Sequence, residues 1–356
     1  MPISRIGYAK PLGSARSSLS GIFLSPYVLF AGGSSLTTVD AYDLNMVRSS
    51  PTYLSVGRGA MAAALVGGYA LFCGGSYGPK SAVVDAYNSS LTRSTPTALS
   101  VAREVSGAAS VGNYAVIAGG DSGSYSAVVD AYDTALTRTT PTTLSIGRGY
   151  IGGASIGSYA LFAGGMDTGY AASTVVDAYN TSLTRSTPTA LSAARYGTAG
   201  TSIASYAVFG GGYTGSTYSG VVDAYDSALT RSTPTALSAA REGLCATTIN
   251  GFAMFIGGTL SGGRSGIVDI YDSSLNRTVG PSLGIARQNL AAATSYNTIW
   301  YTMVAGGYTS AEVNTVDVYM YTASNALKTV GGLAIASVKT IGGLAIASVK
   351  TLGGLQ

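Results

Sequence analysis

An all-β propeller of seven blades is the fold this sequence predicts, and three observations predict it. A single unit recurs at a period of 42 to 49 residues, with glycine doublets starting at Gly32, Gly74, Gly119, Gly164, Gly211, Gly257 and Gly306. Periods in this range mark repeat architecture. Each unit divides into four strand-sized runs of small, β-branched and aromatic residues bounded by Gly, Pro and Ser. Composition agrees: 49 glycines, 25 tyrosines and only 10% charged residues favour strands joined by tight turns. Four strands per unit, repeated radially, make a propeller. No stretch inside the units shows the 3.6-residue period that a helical solenoid requires.

The units explain their own elements in order. Small residues come first, as in GAAS at 107–110, GAMAAAL at 59–65 and YGTAGTSIA at 196–204. Strands without bulk are expected where several sheets converge on one axis. The apolar run YALFAGG (159–165) and its variants follow, and their terminal Gly pair permits a close backbone approach. Then come VVDAY and LTRSTPTALS, where the proline stops the fourth strand and turns the chain toward the next unit. The seventh copy keeps Arg287, Gly306–Gly307 and Val316–Tyr319 but lacks the last run. SRIGYAKPLGSAR (4–16) aligns with LTRSTPTALSAAR (183–195) without a gap, so the N-terminus is expected to supply the missing strand and close the ring. A six-bladed ring is the alternative if one copy is displaced.

The order Arg, then Tyr-x-x-x-x-Gly-Gly, then Val-Asp-x-Tyr resembles the kelch repeat over roughly residues 4 to 320. In the third copy the pieces are Arg103, Tyr114 to Gly120 and Val129 to Asp133, the last reading Val-Asp-x-Tyr-Asp. The chain departs from the family at the kelch tryptophan: the fourth strand reads LTRST, and the one tryptophan, Trp300, lies elsewhere. The resemblance implies a kelch-like propeller over 1–324. It implies no single function, because kelch propellers include both binding modules and enzymes.

Most charges have an address in the repeat. Seven arginines open the copies (Arg16, Arg58, Arg103, Arg148, Arg195, Arg241 and Arg287), and six more occupy the fourth strand (Arg48, Arg93, Arg138, Arg185, Arg231 and Arg277). Asp40, Asp85, Asp130, Asp177, Asp223, Asp269 and Asp317 belong to Val-Asp-x-Tyr. Residues used in every blade serve the blade, so a structural ring of Arg–Asp pairs is the leading expectation. The other reading is an arginine ring at a channel mouth that attracts an anion. Function should break the symmetry. Lys80, Asp121, Asp167, Arg264 and Glu312 follow the Gly pairs, while Glu104 and Glu242 directly follow opening arginines. Loops rich in Tyr, Ser and Gly are expected to share their face and suit binding. The candidate ligand-binding residues are Tyr77, Tyr125, Tyr150, Tyr170, Tyr196, Tyr213, Tyr218 and Tyr308, with Arg264, Glu104 and Glu242.

Reactive constellations are missing from the sequence. It contains no histidine, which excludes a Ser-His-Asp triad and the histidine-ligated copper site of the kelch enzyme galactose oxidase. No Cys cluster has metal-ligand spacing and no glycine-rich phosphate loop precedes a helix. No catalytic residue, metal or cofactor is assigned. Cys73 and Cys245 replace alanines of other copies (Ala118 and Ala199) and read as small apolar residues, with no disulfide expected. The net charge of +4 is modest and locked to the repeat, which weighs against a nucleic-acid partner.

MPISRIGYAKPLGSAR has no apolar core segment of a signal peptide, so cytoplasmic synthesis and release by another route, such as lysis of the cell, are expected. From 325 to 356 an 11-residue period takes over, KTVGGLAIASV then KTIGGLAIASV, with Lys328, Lys339 and Lys350 in register. Gly pairs and lysines interrupt its apolar runs, which weighs against a membrane span. It reads as an attachment or self-association segment, or as a low-complexity tail. The expected function is recognition of a glycan or protein through the loop face, on a virion or cell surface. A carbohydrate-active enzyme of the isomerase or lyase type, using Glu104 or Glu242, is the alternative.

Overall fold

The computed structural model describes residues 2–322 and, beyond them, only the two-residue pairs Thr329–Val330 with Leu333–Ala334 and Thr340–Ile341 with Leu344–Ala345. The role expected of the 325–356 tail otherwise lies outside the described residues. Seven four-stranded antiparallel sheets form the ring, and no helix is present among the described residues. Their innermost strands, taken as blades 1 to 7, are Ser20–Leu24, Ala62–Val66, Gly107–Val111, Gly152–Ile156, Ala199–Ile203, Cys245–Ile249 and Ala291–Tyr296. Blade 3 shows the pattern: Gly107–Val111, Tyr114–Ala118, Val129–Tyr132 and Arg138–Thr139 pair in sequence order.

The fourth strand is shorter than LTRSTPTALS suggests. In blades 1 to 5 it is two residues long, and TPTALS instead crosses to the next blade. There the third-strand tyrosine of the next blade holds it: the Tyr132 hydroxyl donates to Thr97 O at 2.7 Å and the Tyr179 hydroxyl to Thr142 O at 2.8 Å.

The N-terminal strand Ile3–Tyr8 is the outer strand of blade 7, against Val316–Tyr321. A β-bulge between Arg5 and Gly7 shifts the register, so Arg5, not Ile6, lies opposite Tyr319 as Arg138 lies opposite Tyr132. The extra residue is absorbed in the bulge.

The apolar core lies between blades rather than within them. Each of the seven junctions has one cluster; that between blades 3 and 4 joins Val116, Ala118 and Ala131 to Phe162 and Tyr179. In five blades a second-strand Phe meets the third-strand Tyr edge-on, with centroids 5.8 to 6.1 Å apart.

Inner strands approach closely. A Cβ on Gly153 would lie 2.2 Å from Ala108 O, and one on Gly200 2.4 Å from Gly153 O. Serine hydroxyls stitch the same strands together: Ser110 donates to Leu65 O at 2.7 Å, Ser155 to Ser110 O at 2.6 Å, and Ser202 to Ser155 O at 2.5 Å.

Candidate ligand-binding site at the channel mouth

The seven opening arginines are fully buried. Each reaches its own blade's Val-Asp aspartate, and the same aspartate takes the fourth-strand arginine on its other oxygen. Arg103 lies 2.7 Å and Arg138 3.3 Å from Asp130; Arg148 lies 2.5 Å and Arg185 3.2 Å from Asp177. Arg16, Arg58, Arg195, Arg241 and Arg287 are held in the same way by Asp40, Asp85, Asp223, Asp269 and Asp317. Arg5 completes the seventh triad, 2.5 Å from Asp317. The guanidinium groups therefore face blade interiors, while the backbone carbonyl of each opening arginine caps the Gly pair of the preceding blade, as Arg103 O accepts from Gly75 N at 2.9 Å. Burial pushes the thiols of Cys73 and Cys245 up to about 12, which leaves them protonated and unreactive at neutral pH; both are free.

Two residues after each opening arginine the chain takes a left-handed turn. Ser18, Ala60, Val105, Tyr150, Gly197, Gly243 and Asn289 all have φ between 48° and 63°. The turn points each peptide around the axis, and N–H groups donate to the carbonyl of the equivalent residue one blade back. Ala60 donates to Ser18 O (2.9 Å), Val105 to Ala60 O (3.1 Å), Tyr150 to Val105 O (3.0 Å) and Gly197 to Tyr150 O (2.9 Å). Asn289 donates to Gly243 O and Ser18 to Asn289 O, both at 2.9 Å. Six of seven junctions are bonded in this belt; the one between Gly197 and Gly243 is not. Non-glycine residues in this region cost about 1–3 kcal/mol each, so the geometry is imposed by the ring.

The belt frames a cavity of about 750 Å³ lined from all seven blades, including Ser18, Ala60, Glu104, Tyr150, Tyr196, Glu242 and Gln288. That size suits a small-molecule or side-chain ligand. In six blades the residue after the opening arginine bridges the residue after the same blade's Gly pair, as Glu104 does Asp121, Tyr196 does Tyr213, Glu242 does Thr259 and Gln288 does Tyr308. The linkers and the second-to-third-strand loops thus share one face.

On that face six of the eight candidate tyrosines form a continuous chain. Ring centroids run from Tyr170 to Tyr125 (5.7 Å), to Tyr150 (6.3 Å), to Tyr196 (6.1 Å), to Tyr213 (5.7 Å) and to Tyr218 (5.4 Å). Tyr77 and Tyr308 stand apart from it, Tyr308 beneath the guanidinium of Arg264 at 5.4 Å. Burial, then neighbouring Tyr150 and Asp121, push Tyr125 up to about 12. Burial followed by Glu104 raises Tyr150, and burial followed by Glu242 raises Tyr196. These hydroxyls stay protonated at neutral pH and can both donate and accept hydrogen bonds. Burial also raises the Glu242 carboxyl.

Glu104 and Glu242 both line the cavity, from the third and the sixth blade. Gln288 and Asn289 line it as well and escaped the sequence reading; the signal was the lack of any shared residue type in the two columns after the opening arginine. Among the described residues no group of three or more Cys, Asp or Glu is placed to hold a metal.

No protein-family model and no curated protein sequence matches the chain. Solved structures do: 537 chains share the fold, so the fold by itself singles out no activity. One is the structure of YjhT, at 13% identity and a TM-score of 0.62, with 77% of this chain and 99% of that chain covered. The likeness is one of fold.

Proposed function

We propose that the chain is a non-enzymatic recognition module of the kelch-like type that binds a glycan or a protein group at the tyrosine-bordered mouth of the propeller, as part of a virion or cell-surface assembly. The chain of six tyrosines beside the cavity carries this reading. Rigid aromatic rings stack on sugar rings or anchor side chains at little entropic cost. The kelch-like assignment draws on the Arg, Gly-Gly and Val-Asp-x-Tyr residues acting together in every blade. An enzyme on this scaffold would want an arginine beside Glu104 or Glu242. Fourteen of the fifteen arginines are committed to triads. The fifteenth, Arg264, is tied to Thr309 O and the Thr259 hydroxyl, which favours recognition over catalysis.

The test compares the full chain with a Tyr170→Ala, Tyr213→Ala, Tyr218→Ala variant on a glycan array and on intact bacterial cells. Each ring is worth about 0.5–1.5 kcal/mol, so the triple variant should lose at least about tenfold in binding while keeping its circular dichroism spectrum. Unchanged binding would reject this face as the recognition surface.

A further inference from the structure

We infer that the ligand group seated in the mouth is an organic cation carrying N–H donors, a protonated amine or a guanidinium, bound between blades 5 and 6 against Glu242 and Tyr196, with Glu104 as a second counter-charge from blade 3. The inference rests on the recognition reading above and specifies the chemistry of the same site.

The charge of the loop face points to a cation. Outside the triads, the loop face carries Lys80 and Arg264 against Glu104, Asp121, Asp167, Glu242 and Glu312, two positive charges against five negative, in a chain whose formal net charge is +4. Both cations are engaged. Lys80 pairs with Asp121, and Arg264 lies over Tyr308 with hydrogen bonds to Thr309 O (3.2 Å) and the Thr259 hydroxyl (3.1 Å). Two of the remaining carboxylates are satisfied locally: Asp167 accepts from the N–H groups of Gly169 and Ala171, and Glu312 from the hydroxyls of Ser34 and Ser17. Glu104 and Glu242 alone of the five have neither an ion pair nor a side-chain hydrogen bond among the described residues, and both line the cavity.

Both carboxylates are half-buried, and a carboxylate partly withdrawn from water without a partner is a cost that a cation relieves. Burial raises the Glu242 pKa, the direction expected of such a group. Tyr196 lines the same cavity, and an aromatic ring attracts cations. An anionic ligand would meet the two unpaired carboxylates and, among the described residues of this face, no free cation.

The backbone belt is broken between Gly197 and Gly243. At this junction the carbonyl of Gly197 lacks the belt donor that its counterparts have. A Cβ at Gly197 would touch nothing within 4 Å, so the space beside it is open. A free carbonyl, a carboxylate and an aromatic face together select a cation that donates N–H bonds, and so favour an ammonium or guanidinium over a quaternary ammonium.

Titration of the ¹⁵N-labelled full chain by NMR at low salt provides the test, with n-butylammonium, n-butylguanidinium, tetramethylammonium, butyrate and methyl glucoside as probes. The two N–H cations should shift the Gly197 and Gly243 amides saturably. Tetramethylammonium should bind about tenfold more weakly and butyrate not at all. Glu242→Gln should weaken n-butylammonium by about tenfold with the rest of the spectrum preserved, and Glu104→Gln should weaken it less. Equal affinity in Glu242→Gln, or shifts with butyrate in place of the cations, would overturn the inference. If the glycan array reports binding that n-butylammonium does not displace, the cation inference fails and recognition stands. If neither array nor cells report binding, the recognition reading fails, and the titration decides the cation site alone.

Discussion

At the scale of the residue, the aspartate of each Val-Asp-x-Tyr motif does more than its repetition suggests. Asp130 is fully buried between Arg103 and Arg138 and also accepts from the Ser100 N–H and hydroxyl. Ser100 arrives on the crossover from blade 2, so one carboxylate ties two blades. Its two arginines differ sharply: Arg103 is fully buried, while the Arg138 side chain is about a quarter exposed. Removing one member of a buried ion pair leaves an uncompensated charge and costs about 3–5 kcal/mol, whereas exposed pairs contribute about 0–1 kcal/mol. Asp130→Ala is therefore expected to destabilise the chain by about 3–5 kcal/mol in urea unfolding, and Arg138→Ala by no more than about 1 kcal/mol. Equal losses would mean that the triad acts as a surface pair. The arginines and aspartates were legible as a repeated set, and their pairing was the leading expectation. The seventh outer partner was not, because a one-residue bulge hides Arg5 from an alignment that allows no gap.

At the scale of the element, the inner strands show why their sequences are so poor in bulk. Gly153 in Gly152–Ile156 faces the backbone of the blade before it, where a Cβ would lie 2.2 Å from Ala108 O and 2.9 Å from its carbonyl carbon. These are backbone atoms and cannot swing aside. Gly153→Ala should therefore force blades 3 and 4 apart and cost about 1–3 kcal/mol, as overpacking does, visible as a lower urea midpoint with an unchanged slope. A neutral or stabilising result would show that the inner strands have slack. Small residues at these positions were readable as convergence on an axis. The belt just outside the same strands was not. Its bonds are backbone to backbone, and the residues that take the left-handed turn (Ser18, Ala60, Val105, Tyr150 and Asn289 among them) share no side-chain type that a sequence pattern could reveal. The same limit applies to the tyrosines. Their loop positions were legible, but that six of them touch in line while Tyr77 and Tyr308 do not follows from blade order and loop geometry.

At the scale of the whole molecule, the ring makes stability a shared property. Every apolar cluster belongs to two blades, so a blade that detached would strip its neighbours on both sides. Blade 7 is the exception in its covalent make-up, since its outer strand Ile3–Tyr8 comes from the other end of the chain and the rest from Ala291–Tyr321. This strand contributes the ladder to Val316–Tyr321, the buried side chain of Ile3 and the Arg5–Asp317 pair. Without it, the third strand of blade 7 becomes an open edge with unpaired N–H and C=O groups, which invites pairing with a second chain. A variant lacking residues 1–9 should lose several kcal/mol, and its thermal midpoint should fall by about 10 °C or more. It should also form dimers or larger species in sedimentation. A peptide of residues 2–10 added in trans should raise the midpoint in proportion to the logarithm of its concentration, as binding to the native state requires. The same peptide with Arg5→Ala should do so less well, because the Arg5–Asp317 pair is then lost. A truncated chain that remained monomeric and melted at the parent temperature would show that the ring is held by its blade-to-blade cores alone and that the shared blade is not its clasp.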